Sequence, residues 1–304
     1  MKLLKLCIVS ILVSSCGTKN QDTIAHTKDY DMHLASNEVK TTSKYFELWN
    51  SKIRPDSMQL TSFGVVGSEY NRYFQETGDI QFLKKAERSL KKAVDIANIG
   101  RPGFYRSLAR NYISQHRFKE ALQLADSAAA IGGDTNETHS LLFDVHMELG
   151  NYGIAEKYLD SLKNMSDFGY LIRLAKWNDY NGDLDSTINF MEMASAKAEV
   201  SKSKELMLWS YTNLGDYYGH AGSIKDSYDH YLKALEIDNN NAYAKKGIAW
   251  IVFSNDRNAN EALRILDSVT KNYNAPDYFL LKAEIANYIC LLYTSDAADD
   301  LLCV

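Results

Sequence analysis

Residues 208–241 read LWSYTNLGDYYGHAGSIKDSYDHYLKALEIDNNN. Tyr211, Leu214, Gly215 and Tyr218 recur at i, i+3, i+4 and i+7, the spacing of one helical face. Ala221-Gly222-Ser223 then reads as a turn, with glycine supplying the left-handed residue that ends a helix. Tyr231, Ala234 and Leu235 begin a second face with the same spacing. Gly215 and Ala234 are small enough to let two helices approach closely, and the tyrosines and leucines fill the gaps beside them. One such hairpin cannot bury its apolar face, so it needs neighbours of its own kind.

Weaker copies lie on both sides. One has Leu108-Ala109, Tyr112, Ala121 and Ala128; the next has Leu142-Phe143, Gly150 and Ala155. Another has Leu174-Ala175, Gly182 and Ala194. After the best copy comes Ile248-Ala249, Ala262 and Leu266, with one residue inserted in its turn. The first copy is looser: Phe74, Gly78, Ala86 and Ala93, with about three extra residues expected between its helices. A seventh opens at Pro276, shows Ala283 and Ala286, and stops.

This set of landmarks resembles the tetratricopeptide (TPR) repeat, a helix-turn-helix unit of 34 residues. The resemblance covers residues 64–289 and implies an all-α, right-handed superhelical solenoid. It would have about six repeats (64–101, 102–135, 136–167, 168–207, 208–241 and 242–275) and a truncated seventh (276–289). The proline that usually follows the second helix is absent from most copies. The chain has only Pro55, Pro102 and Pro276, and Asp238-Asn239-Asn240-Asn241 stands where the best copy would have it. Asn and Asp also end helices.

In TPR proteins the second, fifth, ninth, twelfth and thirteenth positions of the first helix face the concave groove. Carried over, these give Arg72, Arg106, Arg110, Asp144, Lys176 and Tyr180, then Trp209, Asp216, His220, Tyr243, Lys246, Trp250 and Phe253. The cations lie towards the N-terminal repeats and the aromatics towards the C-terminal ones. Trp250 and Phe253 have an alternative use, packing against a seventh repeat or a capping helix. The Lys/Asn set with which some family members clamp a chaperone's carboxylate tail is not in register. The resemblance implies a non-catalytic scaffold that holds a protein or peptide.

The two ends read differently. Met1-Lys2-Leu3-Leu4-Lys5, an apolar run Leu6 to Val13, and Val13-Ser14-Ser15-Cys16 resemble a bacterial lipoprotein signal, too short for a stable membrane span. By that resemblance residues 1–15 are removed and Cys16 carries the lipid, at the outer membrane and facing the periplasm. Residues 16–43 are polar and read as a flexible tether, and 44–63 as an N-terminal capping helix over the solenoid's apolar edge. From Cys290 the composition changes abruptly. Residues 290–304 resemble an adapter-derived tail, which implies that the native protein continues differently beyond 289.

No nucleotide-binding glycine loop, nucleophile elbow or HExxH zinc motif occurs, so neither catalysis nor a cofactor is expected. Net charge is −5, and −7 without Lys2 and Lys5 (32 basic against 39 acidic residues), which argues against general nucleic-acid binding. Between Cys16 and Cys290 there is no cysteine. His139 and His146 share a helix face two turns apart, and His220 and His230 are placed to meet across one hairpin. Two further functions fit the sequence: a glycan-binding envelope lipoprotein, and a docking module for a catalytic domain beyond residue 289.

Overall fold

The computed structural model describes residues 23–35, 39–54, 56, 58–269 and 271–301, with side chains to Cys290. Helix α1 (Thr27–Tyr30), a 3-10 turn (Asp31–His33) and α2 (Lys44–Asn50) precede six antiparallel pairs. These are α3 (Leu60–Thr77) with α4 (Ile80–Ile96), α5 (Arg101–Ser114) with α6 (Phe118–Ile131), and α7 (Thr135–Glu148) with α8 (Tyr152–Ser161). Then come α9 (Phe168–Tyr180) with α10 (Leu184–Ser201), α11 (Lys204–His220) with α12 (Ile224–Ile237), and α13 (Ala242–Ser254) with α14 (Ala259–Asp267). A single helix, α15 (Pro276–Leu301), closes the series. There is no strand among the described residues.

From α2 onwards each helix packs on the next, and the first helices of several neighbouring pairs also touch. This is the all-α TPR solenoid. Side-chain caps start many of the helices: Asp79, Asp134, Asp167, Asp183, Ser203, Asn241 and Asn258 each accept a backbone N–H in the first turn. A cap of this kind contributes about 1 kcal/mol. Asn241 therefore starts α13 at the end of the Asp238–Asn241 run. The small residues of the repeat register lie where the two helices of a pair meet: Ala109, Ala121, Ala155, Ala175, Ala194, Ala234, Ala249 and Ala262 are fully buried.

In repeats five and six, the Tyr231 ring of α12 passes between two glycines. A Cβ on Gly215 would lie 2.6 Å from it, and one on Gly247 would overlap it. Only glycine at both places lets a second-helix tyrosine reach through to the first-helix face.

The first repeat departs from the expected register. Its extra residues are in the helix and not in the turn, which is only Gly78-Asp79. Helix α3 has 18 residues against 14 in α5, about one turn more. Its close contact is at Gly67, whose Cβ would lie 2.8 Å from Leu90. Helix α2 covers this edge by burying Phe46 against Val66 and Tyr73, but it ends at Asn50 and does not run to residue 63. In the sixth repeat the wider turn is present: residues 255–258 stand where the fifth has 221–223, and Arg257 takes a left-handed φ of 58°. In the seventh no turn appears among the described residues. Helix α15 continues past Ile289, and Ala283 and Ala286 are exposed while Ile285 is buried.

The tether reading of 16–43 fails for residues 23–34. They form a strap across the second helices of the last repeats. Asp256, in the wide turn, accepts from the N–H groups of Ile24 and Ala25 at 3.0 Å each. Tyr30 is 1% exposed and donates to Glu261 at 2.8 Å, and Asp31 pairs with Arg264 at 2.6 Å. Further along, Asn272 donates to the Val39 carbonyl at 2.9 Å, and Asn274 N–H to the Thr77 carbonyl at 2.6 Å. The loop between α14 and α15 thus meets the first repeat's turn, where Gly78 (φ 65°) would, with a Cβ, come within 2.7 Å of Ala275 Cβ. Residues 1–15 and Cys16 lie outside the described residues.

Candidate binding face on the first helices of the repeats

The charged residues expected in the groove are mostly spent on their neighbours. Arg72 pairs with Glu69 at 2.9 Å and Glu76 at 2.6 Å on its own helix. Arg106 donates to Thr138 Oγ1 at 3.2 Å, and Arg110 pairs with Glu137. Asp144 receives Arg173 at 2.6 Å, and Lys176 pairs with Glu148 at 2.6 Å. The partners of Arg106, Arg110, Asp144 and Lys176 come from the adjoining repeat. Within the basic cluster legible in the sequence, Arg72, Arg110 and Lys176 are therefore neutralised by carboxylates, while Arg106 is held by a hydroxyl and keeps its charge. Tyr180 stacks on Tyr152, at the start of α8, with ring centres 3.8 Å apart. His220 is exposed at the end of α11.

Towards the C-terminus the face changes character. Asp216, Tyr243, Lys246 and Trp250, all expected there, line one cleft of about 320 Å³. Tyr231 and Gly247 join them, with Asp277, Leu280, Leu281 and Glu284 from α15. Asp216 accepts from Tyr231 OH at 2.5 Å and from Tyr243 OH at 2.7 Å. Burial, and then the Asp216 charge, raise the pKa of both phenols, so both remain neutral donors at ordinary pH. Lys246 pairs with Asp277, and its ammonium lies 4.3 Å from the centre of the Tyr243 ring. Trp250 stays 47% exposed.

Trp209 and Phe253 do not line this cleft. Trp209 is half-exposed and meets Phe168 of the preceding repeat edge-on at 6.0 Å. Phe253 packs against Tyr288 of α15, with ring centres 5.3 Å apart, so it takes the packing alternative. Tyr231 was missed because it sits on a second helix, and only its passage between two glycines brings its hydroxyl to this face. Asp277, Leu280 and Glu284 were missed because the seventh copy shows so little of the repeat pattern. A second cleft, about 450 Å³, lies at the other end between α3 and α5, walled by Tyr45, Val65, Leu90 and Phe104.

His139, His146 and His230 serve packing. His139 and His146 flank Tyr158, and His146 is buried, which lowers its pKa. His230 stacks on Tyr218 and holds the Asp226 carbonyl instead of meeting His220. Among the described residues, no group of three or more His, Cys, Asp or Glu is placed to hold a metal ion. No helix among them is long and apolar enough to cross a membrane.

No protein-family model matches this chain, and no curated protein matches its sequence. Solved structures do match its fold. One is the APC/C hetero-tetramer Cut9–Hcn1 (TM-score 0.58, 18% identity, 80% of this chain and 45% of that one). Another is a signal transduction ATPase with numerous domains from Pyrococcus horikoshii that has a tetratricopeptide repeat sensor (0.54, 18%, 87% and 42%). A third is yeast Tom70 (0.50, 11%, 89% and 69%). This chain spans less than half the length of the first two. At these identities the likeness concerns the fold alone, an all-α TPR superhelix.

Proposed function

We propose that this protein is an exported, lipid-anchored scaffold of the bacterial cell envelope. It holds a protein partner by laying an extended or helical segment of it along the first-helix face. The observation that carries this reading is the cleft of Tyr243 and Trp250, with Trp250 half-exposed on a rigid repeat frame. Exposed aromatics in well-packed surroundings dominate binding energy at protein interfaces. Stacked repeats supply extended, preorganised surfaces of this kind. The leader and Val13-Ser14-Ser15-Cys16 support the anchor, with Cys16 as the lipidated residue on the periplasmic side of the outer membrane.

Two experiments test the reading. Affinity capture from envelope extract compares wild type with Trp250→Ala/Tyr243→Ala, each checked for folding by circular dichroism. Loss of the same partners from the folded mutant supports the site, and equal recovery rejects it. Cys16→Ser should release the protein from membrane fractions or stall its processing. Unchanged retention and unchanged mass would remove the lipid anchor.

A further inference from the structure

We propose that the cleft between α11, α13 and α15 takes a cationic side chain, lysine or arginine, of the bound segment. This rests on the reading that the first-helix face binds a protein. The cleft already holds one cation of its own chain: the Lys246 ammonium lies over the Tyr243 ring at 4.3 Å and pairs with Asp277. Ring and carboxylate together are the recognition mode, since the negative face of an aromatic ring attracts a cation and a carboxylate fixes its position. Trp250 and Glu284 offer the same two groups in the same cleft. Both are exposed, and Glu284 pairs with no cation among the described residues.

The charges agree. Asp216, Asp277 and Glu284 face the cleft against Lys246 alone. The two phenols that donate to Asp216 are neutral and leave its charge uncancelled. Leu280 is 71% exposed at the cleft wall, an apolar surface on which the methylene stem of a lysine or arginine can lie while its head reaches the carboxylates. An acidic segment would meet two uncompensated negative charges here. A purely apolar one would leave Glu284 without a partner.

The test is selection from a phage-displayed library of random twelve-residue peptides on the full-length protein, followed by titration of the enriched peptides. The expected result is enrichment of Lys and Arg, with affinity about tenfold lower for Glu284→Gln and for Trp250→Ala. Affinity should also fall with added salt. Glu284→Gln is isosteric and exposed, so it reads binding without disturbing the fold. Peptides with no excess of Lys or Arg, or unchanged affinity in Glu284→Gln, overturn the cationic specificity and leave the scaffold reading standing. If no peptide is enriched at all, both are overturned.

Discussion

Arg110 and Asp216 hold equivalent places in two parts of the same solenoid. Each reaches from one repeat to a residue 27 positions further on in the next, Arg110 to Glu137 and Asp216 to Tyr243. In the second and third repeats that contact joins opposite charges and cancels them. In the fifth and sixth it joins a carboxylate to a neutral phenol, so the charge survives and stays fixed in place. The fold is the same in both, and the surface chemistry is opposite. At this position of the repeat, the binding character of the face is therefore decided across the boundary between repeats, by the residue opposite.

The largest effect should come from the tyrosine that builds the C-terminal side. Tyr231→Ala removes an aromatic ring packed between Gly215 and Gly247 and one of the two donors to Asp216. Deleting a buried aromatic costs about 3–5 kcal/mol. A solenoid's stability is local to a repeat and its neighbours, so the loss should appear first in repeats five and six. Denaturant unfolding combined with hydrogen exchange reads both size and place. Wild-type stability would mean that Tyr231 does not support the cleft.

The strap on the opposite side of the same repeats comes next. Tyr30→Ala should cost about 3 kcal/mol, because the ring is buried and bonded to Glu261. Lost protection should spread over residues 23–34 and α14, leaving repeats two to four unchanged. Protection of 23–34 as low in wild type as in the mutant would return this segment to a tether.

The two ends should also respond to opposite extremes of pH. In the first two repeats burial raises the Glu87 pKa, but Lys91, Arg117 and Gln115 overcome it and hold the carboxyl at about 2. A depressed carboxyl contributes stability above its unfolded pKa, and that contribution is lost as pH falls from about 4.5 towards 2. In repeat five, burial first and then nearby carboxylates push Tyr211 and Tyr217 up to about 12. A raised phenol contributes fully below its unfolded pKa of 10, and that is lost as pH rises through 12. Acid should loosen the N-terminal repeats first and alkali the C-terminal ones, as followed by exchange corrected for intrinsic rates. The reverse order would break the comparison.

Much of this was legible in the sequence, for a physical reason. Close helix contacts require small residues, so Gly215, Ala234 and their equivalents mark the fold, and counting from them puts Trp209, Asp216, His220, Tyr243, Lys246, Trp250 and Phe253 on one face, of which Asp216, Tyr243, Lys246 and Trp250 line the cleft. The pairing of Arg110 with Glu137 was not legible, because it depends on how two repeats are rotated against each other. The strap was hidden because it is held by single buried residues, Ala25 and Tyr30, and by bonds to Asp256 and Glu261, and shows no apolar periodicity. The α15 wall of the cleft was hidden because Ala283 and Ala286, the small residues that suggested the register, are exposed, and Leu281 and Ile285 are buried instead.

The smallest effect is the sharpest test of the comparison. Arg110 and Glu137 are about half exposed, and an ion pair in such a setting contributes about 0.2–1 kcal/mol. Arg110→Ala should therefore leave stability nearly unchanged. It should also leave partner binding unchanged, because the guanidinium is engaged by Glu137 and offers a ligand little net charge. Glu137→Gln should do the opposite: it frees Arg110 and should let the second and third repeats bind acidic peptides that wild type ignores. Isothermal titration with one acidic and one basic peptide, on wild type and both variants, measures this. A fivefold loss of partner affinity in a folded Arg110→Ala would show that the arginine serves ligands despite its pairing. The two halves of the face would then differ in the sign of the charge they present, and not in whether a neighbour has cancelled it.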